Sequence, residues 1–161
     1  MRFSTRLSFS MGALACIGTA AAASCPGQTA PYCPPRPATS DEQRLIFNEF
    51  IQVFYLERNA SKALLSHVPE DYIQHNPHAL SGRQNTIDVL EPLLSSEANN
   101  FTILRQAFTD NIAFAHIRLD VEGAEPSAVV DVYRLNGTCI MEHWDVIQQR
   151  DPNSVNPLAL F

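Results

Sequence analysis

The chain has 161 residues, 45% hydrophobic and 17% charged, the composition of one folded domain with a real core rather than of a disordered chain. Its formal charge of −6 argues against nucleic acid or an anionic membrane as the main partner and favours a small, mostly uncharged ligand.

Met1 to Ala23 opens with Arg2 and Arg6, passes through Leu7, Phe9, Met11, Leu14 and Ile17, and closes on Ala21-Ala22-Ala23. A charged start, a short apolar stretch and a small-residue cleavage site form the pattern of a secretory signal peptide. Residues 1–23 are therefore expected to be removed and the mature chain to be secreted. The apolar run is too short for a comfortable membrane span, so no membrane partner is expected after cleavage. Loss of Arg2 and Arg6 takes the formal charge from −6 to −8.

Of the four cysteines, Cys16 would leave with the leader. Cys25 and Cys33 bracket a Pro-rich segment, and an oxidising compartment favours a short-loop disulfide between them. That pairing leaves Cys139 as a small buried hydrophobe. The sequons Asn59-Ala60-Ser61, Asn100-Phe101-Thr102 and Asn136-Gly137-Thr138 are expected glycan acceptors in a eukaryotic secreted protein.

Residues 24–39 read as a Pro-rich arm without chemistry. Ser40 followed by Asp41, Glu42 and Gln43 predicts a capped helix running to about Asn59, with Leu45, Ile46, Phe50, Val53 and Phe54 on its apolar face. Ser61 to Val68 predicts a second short helix, stopped by Pro69. Glu70 to Pro77 reads as a helical turn or loop carrying Tyr72, His75 and Asn76. Arg83 to Ser95 predicts a third helix, with Pro92 placed to shorten or kink it.

From Asn100 the pattern turns to strands: Phe101 to Thr109, Ile112 to Glu122, Ser127 to Asn136 and Thr138 to Gln148. Helices followed by an antiparallel meander define an α+β domain over residues 40–150, with the helices covering one face of a curved sheet and a ligand cavity between the layers. Residues 151–161 are a tail.

The chemistry concentrates in the last hairpin, expected to turn at Asn136-Gly137. Alternation puts Val129, Asp131, Tyr133 and Leu135 on one face of its first strand; His143, Asp145 and Ile147 share a face of the second. A carboxylate among Val, Tyr, Trp and Ile is costly unless it is paired or used. Asp131 is placed to face Asp145 across the hairpin. Satisfaction of Asp145 by a neighbouring strand or by Arg134 is the structural alternative. His75-x-x-His78, with His67 and His116 elsewhere, lacks a recognised metal spacing, so no metal site is expected.

The segments YIQHNP at Tyr72 to Pro77, Gly82, DVYRLNG at Asp131 to Gly137 and EHWDVIQ at Glu142 to Gln148 resemble the SnoaL-like polyketide cyclase family. More narrowly, they resemble its branch of predicted aldol-condensation-catalysing enzymes, within the nuclear transport factor 2-like superfamily. The resemblance spans roughly Asp41 to Gln148. It implies a cone-shaped α+β barrel, three N-terminal helices on a strongly curved, mainly antiparallel sheet, often as a homodimer. It also implies cyclisation without metal or organic cofactor, with an acidic base at the position of Asp145.

The resemblance places His75 at the pocket rim as orienter or proton donor; Asp131 and His143 join it as helpers. Tyr72, Asn76, His116, Tyr133 and Trp144 are the candidate substrate contacts. The expected function is a secreted cyclase or isomerase that abstracts a proton from a small apolar carbonyl-containing metabolite and closes it by an aldol-type step. A non-catalytic small-molecule-binding or dimeric interaction protein is the alternative from another class, and a dehydratase or epoxide hydrolase is a third.

Overall fold

A computed structural model describes residues 28–161; the leader and Cys25 lie outside the described residues. Helix α1 spans Ser40–Ile51. Its cap is Thr39 rather than Ser40: the Thr39 hydroxyl accepts from the Glu42 amide, and the Glu42 carboxylate accepts from the Thr39 amide at 2.7 Å. The helix stops being α at Ile51. Gln52–Leu56 form a π turn, closed by the Glu57 amide donating to the Gln52 carbonyl at 2.9 Å. The wider turn buries three consecutive residues, Val53, Phe54 and Tyr55, and Arg58, with φ of 56°, ends it. The Arg58 guanidinium donates to the carbonyls of Leu94 and Ser96 and so satisfies the C-terminus of a later helix.

Helix α2 spans Ala60–His67, capped by Asn59, whose side-chain oxygen accepts from the Lys62 amide at 2.8 Å. Strand β1, Ile73–Gln74, follows where the sequence suggests a helical turn or loop. Helix α3 spans Arg83–Ser95 and continues past Pro92, which therefore does not shorten it. Asp88 and Pro92 both lie on the exposed side, where water can serve the carbonyl that proline leaves without a partner.

The sheet is completed by β2 (Asn99–Thr109), β3 (Ile112–Val121), β4 (Ser127–Asn136) and β5 (Cys139–Gln149). The strand order is β1-β5-β4-β3-β2, antiparallel throughout except that β1 runs parallel to β5. The last hairpin turns at Gly137-Thr138, one residue later than the Asn-Gly signal suggests, because Asn136 still pairs with Cys139. A register shift between Arg134 and Leu135 absorbs the difference, and below it the alternation holds. The helices cover the face that carries Ala113, Ala115, Ile117, Val129, Tyr133 and Leu135, all buried in the core with Phe47, Phe50 and Leu64. Among the described residues no helix is long and apolar enough to cross a membrane.

The N-terminal arm corrects the disulfide expectation. Cys33 pairs with Cys139, their Cα atoms 5.0 Å apart, so a Cys25–Cys33 bridge is ruled out in this structure and Cys139 is not a free hydrophobe. The reason is tertiary: the arm lies against the hairpin turn, which brings Cys33 beside Cys139. The Thr138 amide donates to the Arg36 carbonyl at 2.9 Å, and the Thr138 hydroxyl donates to the Tyr32 carbonyl at 2.5 Å. Gly137, at φ of 52°, leaves room for that contact; a Cβ there would collide with the Arg36 carbonyl. Buried Gln43 donates to the Gly137 carbonyl and to the Asn111 side chain, tying α1 to the β4–β5 and β2–β3 turns.

His67 is also a core residue. Its Nδ1 donates to the Ala63 carbonyl at 2.9 Å, and its buried Nε2 has no hydrogen-bond partner among the described residues. Burial holds the imidazole below the ordinary histidine range, against the opposing pulls of the Ala63 carbonyl and Glu49. The unfolded chain therefore binds more protons than the folded one as pH falls below about 6.5, and stability declines in that direction. Denaturant midpoints measured at about pH 7.5 and about pH 5.5 should separate more for the wild type than for His67→Gln. Equal separations would assign the acid sensitivity to other groups.

Candidate functional site

Between the helices and the sheet lies a cavity of about 200 Å³. Its walls are mostly apolar, with Phe50, Phe54, Leu90, Leu94, Phe101 and Leu119 among them. The polar groups converge on one side, where β1, β4 and β5 meet. Asp131 and Asp145 are directly opposed across the hairpin in the register that the bulge and the late turn set, and both line the cavity with His143, Tyr72, Tyr133 and Asn76.

Strand β1 explains most of the arrangement. Ile73 pairs with Glu142 and Gln74 with His143, and the His75 amide donates to the His143 carbonyl at 3.0 Å. Alternation along this segment turns Gln74 and Asn76 inward, beside His143 and Asp145. It turns His75 outward, beside Glu142 and Trp144.

Three of the expected site residues are therefore elsewhere. The His75 imidazole meets Glu142 Oε1 at 2.8 Å and stacks on Trp144 with ring centroids 4.9 Å apart, on the face of the sheet away from the cavity. Trp144 is on that outer face because it is one residue out of phase with His143 and Asp145. His116 pairs with Val130 and shares a parity with the exposed Ile112 and Phe114, which removes it from the cavity as well. Arg134, the structural alternative partner for Asp145, bonds Glu142 at 2.6 Å. Glu142 is held below the usual carboxylate range by His75 and then by Arg134.

The two aspartates differ in their surroundings. Asp131 is 2% exposed. Its Oδ2 accepts from the hydroxyls of Tyr55 and Tyr133, the latter at 3.2 Å, and its Oδ1 lies 3.2 Å from His143 Nε2. Asp145 has one donor, the Asn76 side-chain amide, and its other oxygen has no hydrogen bond among the described residues. The Asn76 amide is oriented by its own oxygen, which accepts from the His78 amide at 2.8 Å. Asp131 thus has three hydrogen-bonding neighbours among the described residues, and Asp145 has one.

Burial raises the phenols of Tyr55, Tyr72 and Tyr133 well above the ordinary tyrosine range, with the Asp131 charge adding to the rise in each. All three stay neutral donors. Tyr55 and Tyr133 are spent on Asp131, whereas the Tyr72 hydroxyl has no hydrogen-bond partner among the described residues and faces the cavity near both aspartates.

Asp131, His143 and Asp145 each offer one atom within 4.8 Å of the others, a spacing that a cation could use. The contacts read differently: two phenols occupy Asp131 Oδ2, and His143 Nε2 is turned to Asp131 Oδ1. We take the group as a hydrogen-bonded network. Sequence reasoning missed Tyr55 and Gln74. Tyr55 is invisible without the π turn, but Gln74 was legible: a strand reading of Tyr72 to Asn76 puts Tyr72, Gln74 and Asn76 on one face.

Three helices over a curved mixed sheet, closed around a polar-ended pocket, define the class: an α+β cone with an internal cavity. The fold is that of the nuclear transport factor 2-like proteins. A nuclear transport factor 2-like protein of unknown function from Mesorhizobium loti is 17% identical and superposes with a TM-score of 0.60, over 70% of this chain and 97% of that one. A candidate ketosteroid isomerase from Kribbella flavida is 11% identical, with a TM-score of 0.58 over 73% of this chain and 85% of the other. TsrD from Streptomyces laurentii is 15% identical, with a TM-score of 0.53 over 65% and 87%. No family model and no curated protein matches the sequence.

Proposed function

We propose that this protein is a secreted cyclase or isomerase that removes a proton beside a carbonyl of a small apolar compound and closes it by an aldol-type step. The observation that carries the reading is Asp145: a carboxylate with a single donor on the wall of an apolar cavity, beside an unpartnered phenol. Asp145 takes the proton from carbon, the C–H electron pair becomes the enolate, and the Tyr72 hydroxyl donates to the oxygen where charge develops. The enolate carbon then attacks a second carbonyl of the same molecule.

Size and charge narrow the substrate. An apolar cavity of ~150 Å³ holds a benzene ring, so a cavity of about 200 Å³ suits one ring with a short substituent. Neither lysine nor arginine lines it among the described residues, and the two aspartates disfavour an anion. The substrate is accordingly neutral. Secretion is supported by the leader-like pattern of Met1 to Ala23 and by the Cys33–Cys139 disulfide, which suits an oxidising compartment.

The test is incubation of the mature protein with small-molecule extracts of its source, followed by mass spectrometry, beside Asp145→Asn. A neutral carbonyl compound is expected to be consumed by the wild type, with the variant slower by ~10²–10⁴-fold, the span of general-base catalysis. A compound retained unchanged by both proteins would make this a binding protein and sink the proposal.

A further inference from the structure

The His143 imidazole that meets Asp131 is held on its other side by Gln74, a residue outside the expected site. Gln74 Oε1 accepts from the Asn76 backbone amide at 2.9 Å, and a backbone N–H can only donate. That fixes which end of the Gln74 side chain is oxygen, and it is this oxygen that lies 2.8 Å from His143 Nδ1. Nδ1 must therefore carry a hydrogen. In a neutral imidazole Nε2 would then be a bare acceptor, and it faces Asp131 Oδ1, an acceptor too, at 3.2 Å. Two bare acceptors in a buried site repel, so one further proton belongs to that contact.

We propose that Gln74 is a positioning residue that locks His143 with hydrogen on Nδ1, so that His143 and Asp131 jointly hold one exchangeable proton beside Asp145. Among the described residues, the titratable groups that line the cavity with the pair are Tyr55, Tyr72, Tyr133, Asp145 and His78. Tyr55 and Tyr133 donate to the other Asp131 oxygen, the Tyr133 ring lies 4.7 Å from the imidazole, and Tyr72 and Asp145 complete the wall. The inference rests on the proposed function only in the use it gives that proton. After Asp145 has taken a proton from carbon and a new C–C bond has formed, the alkoxide needs one, and the pair supplies it. Asp145 then returns its own proton to the pair, the three groups having atoms within 4.8 Å of one another, and the enzyme is restored with no net gain or loss.

The experiment is nitrogen-15 NMR of the full chain with labelled histidine, the His143 signals being assigned by their loss in His143→Gln. In the wild type at neutral pH, Nδ1 is expected to show a protonated signature, and Nε2 a signature displaced from the bare nitrogen of a neutral imidazole. Gln74→Leu removes the acceptor at Nδ1, and the hydrogen should move to Nε2 with loss of the extra proton. Gln74→Glu keeps an acceptor and should keep the wild-type pattern. A bare Nδ1 in the wild type overturns the proposal even if Gln74→Leu fails to fold, and so does an unchanged spectrum in Gln74→Leu. Displacement of the His143 signals by stoichiometric zinc, reversed by chelator, would overturn it in favour of a cation site. No substrate is needed, so the result stands apart from the fate of the proposed reaction.

Discussion

Replacement of both Cys33 and Cys139 by serine is expected to lower the free energy of unfolding by about 2–4 kcal/mol. The bridge joins positions 106 residues apart, so its loss frees nearly the whole described chain in the unfolded state. The chain-entropy argument for a loop of that length gives an upper value of about 4.7 kcal/mol. The folded state also loses order, since the arm is held by the bridge and by a few hydrogen bonds, among them Tyr32 N–H to the Ser66 carbonyl at 2.7 Å and the Arg36–Thr138 pair. Denaturant midpoints of the wild type, with and without reductant, and of the double variant supply the measurement. Coincident transitions would mean that the bridge contributes nothing. Non-reducing peptide mapping should return Cys33 linked to Cys139.

Asp131→Ala should be more damaging, at about 3–5 kcal/mol, the range for removing one partner of a buried ion pair. Two donors, the phenols of Tyr55 and Tyr133, and the His143 imidazole converge on this carboxylate, and truncation leaves all three buried without their partner. Asp131→Asn keeps one side-chain oxygen and should be milder. Asp145→Asn is the informative contrast, because Asp145 is half-buried with a single donor. Its loss is expected to cost about 1 kcal/mol or less in stability. If the two positions proved equally destabilising, the division between a supporting Asp131 and an available Asp145 would fall.

The division of labour between these aspartates shows what a sequence pattern can and cannot say. Period-two alternation was enough to put Asp131 with Tyr133 on one face of β4 and His143 with Asp145 on one face of β5. That the two faces coincide was decided by the later turn and the register shift between Arg134 and Leu135, which set Asp131 opposite Asp145. The same rule would have placed His75 outside had Tyr72 to Asn76 been read as extended. Those residues form a strand only because the edge of β5 offers them a partner, and so short a parallel pairing has no local signature. His116 and Trp144 were drawn into the expected site by residue type, whereas their parity assigns them to the outer face.

Tyr55 and the disulfide illustrate the other limit. A helical repeat read over residues 40–59 cannot announce a π turn, because the widened turn is stabilised by what packs against it, including Arg58 at the end of α3. Cysteine spacing likewise favours the nearer pair, as short loops close easily, until the arm is held against the distant hairpin turn. What the sequence determined by itself is the order of the three helices and the four long strands, the α+β class and which residues share a face within each strand of the last hairpin, all consequences of local periodicity and turn chemistry. What only the tertiary structure decided is the pairing of Cys33 with Cys139, the reach of Tyr55 to Asp131 and the placing of Gln74 against His143. Each joins segments far apart in the chain, and their meeting depends on how layers pack rather than on any pattern within a segment.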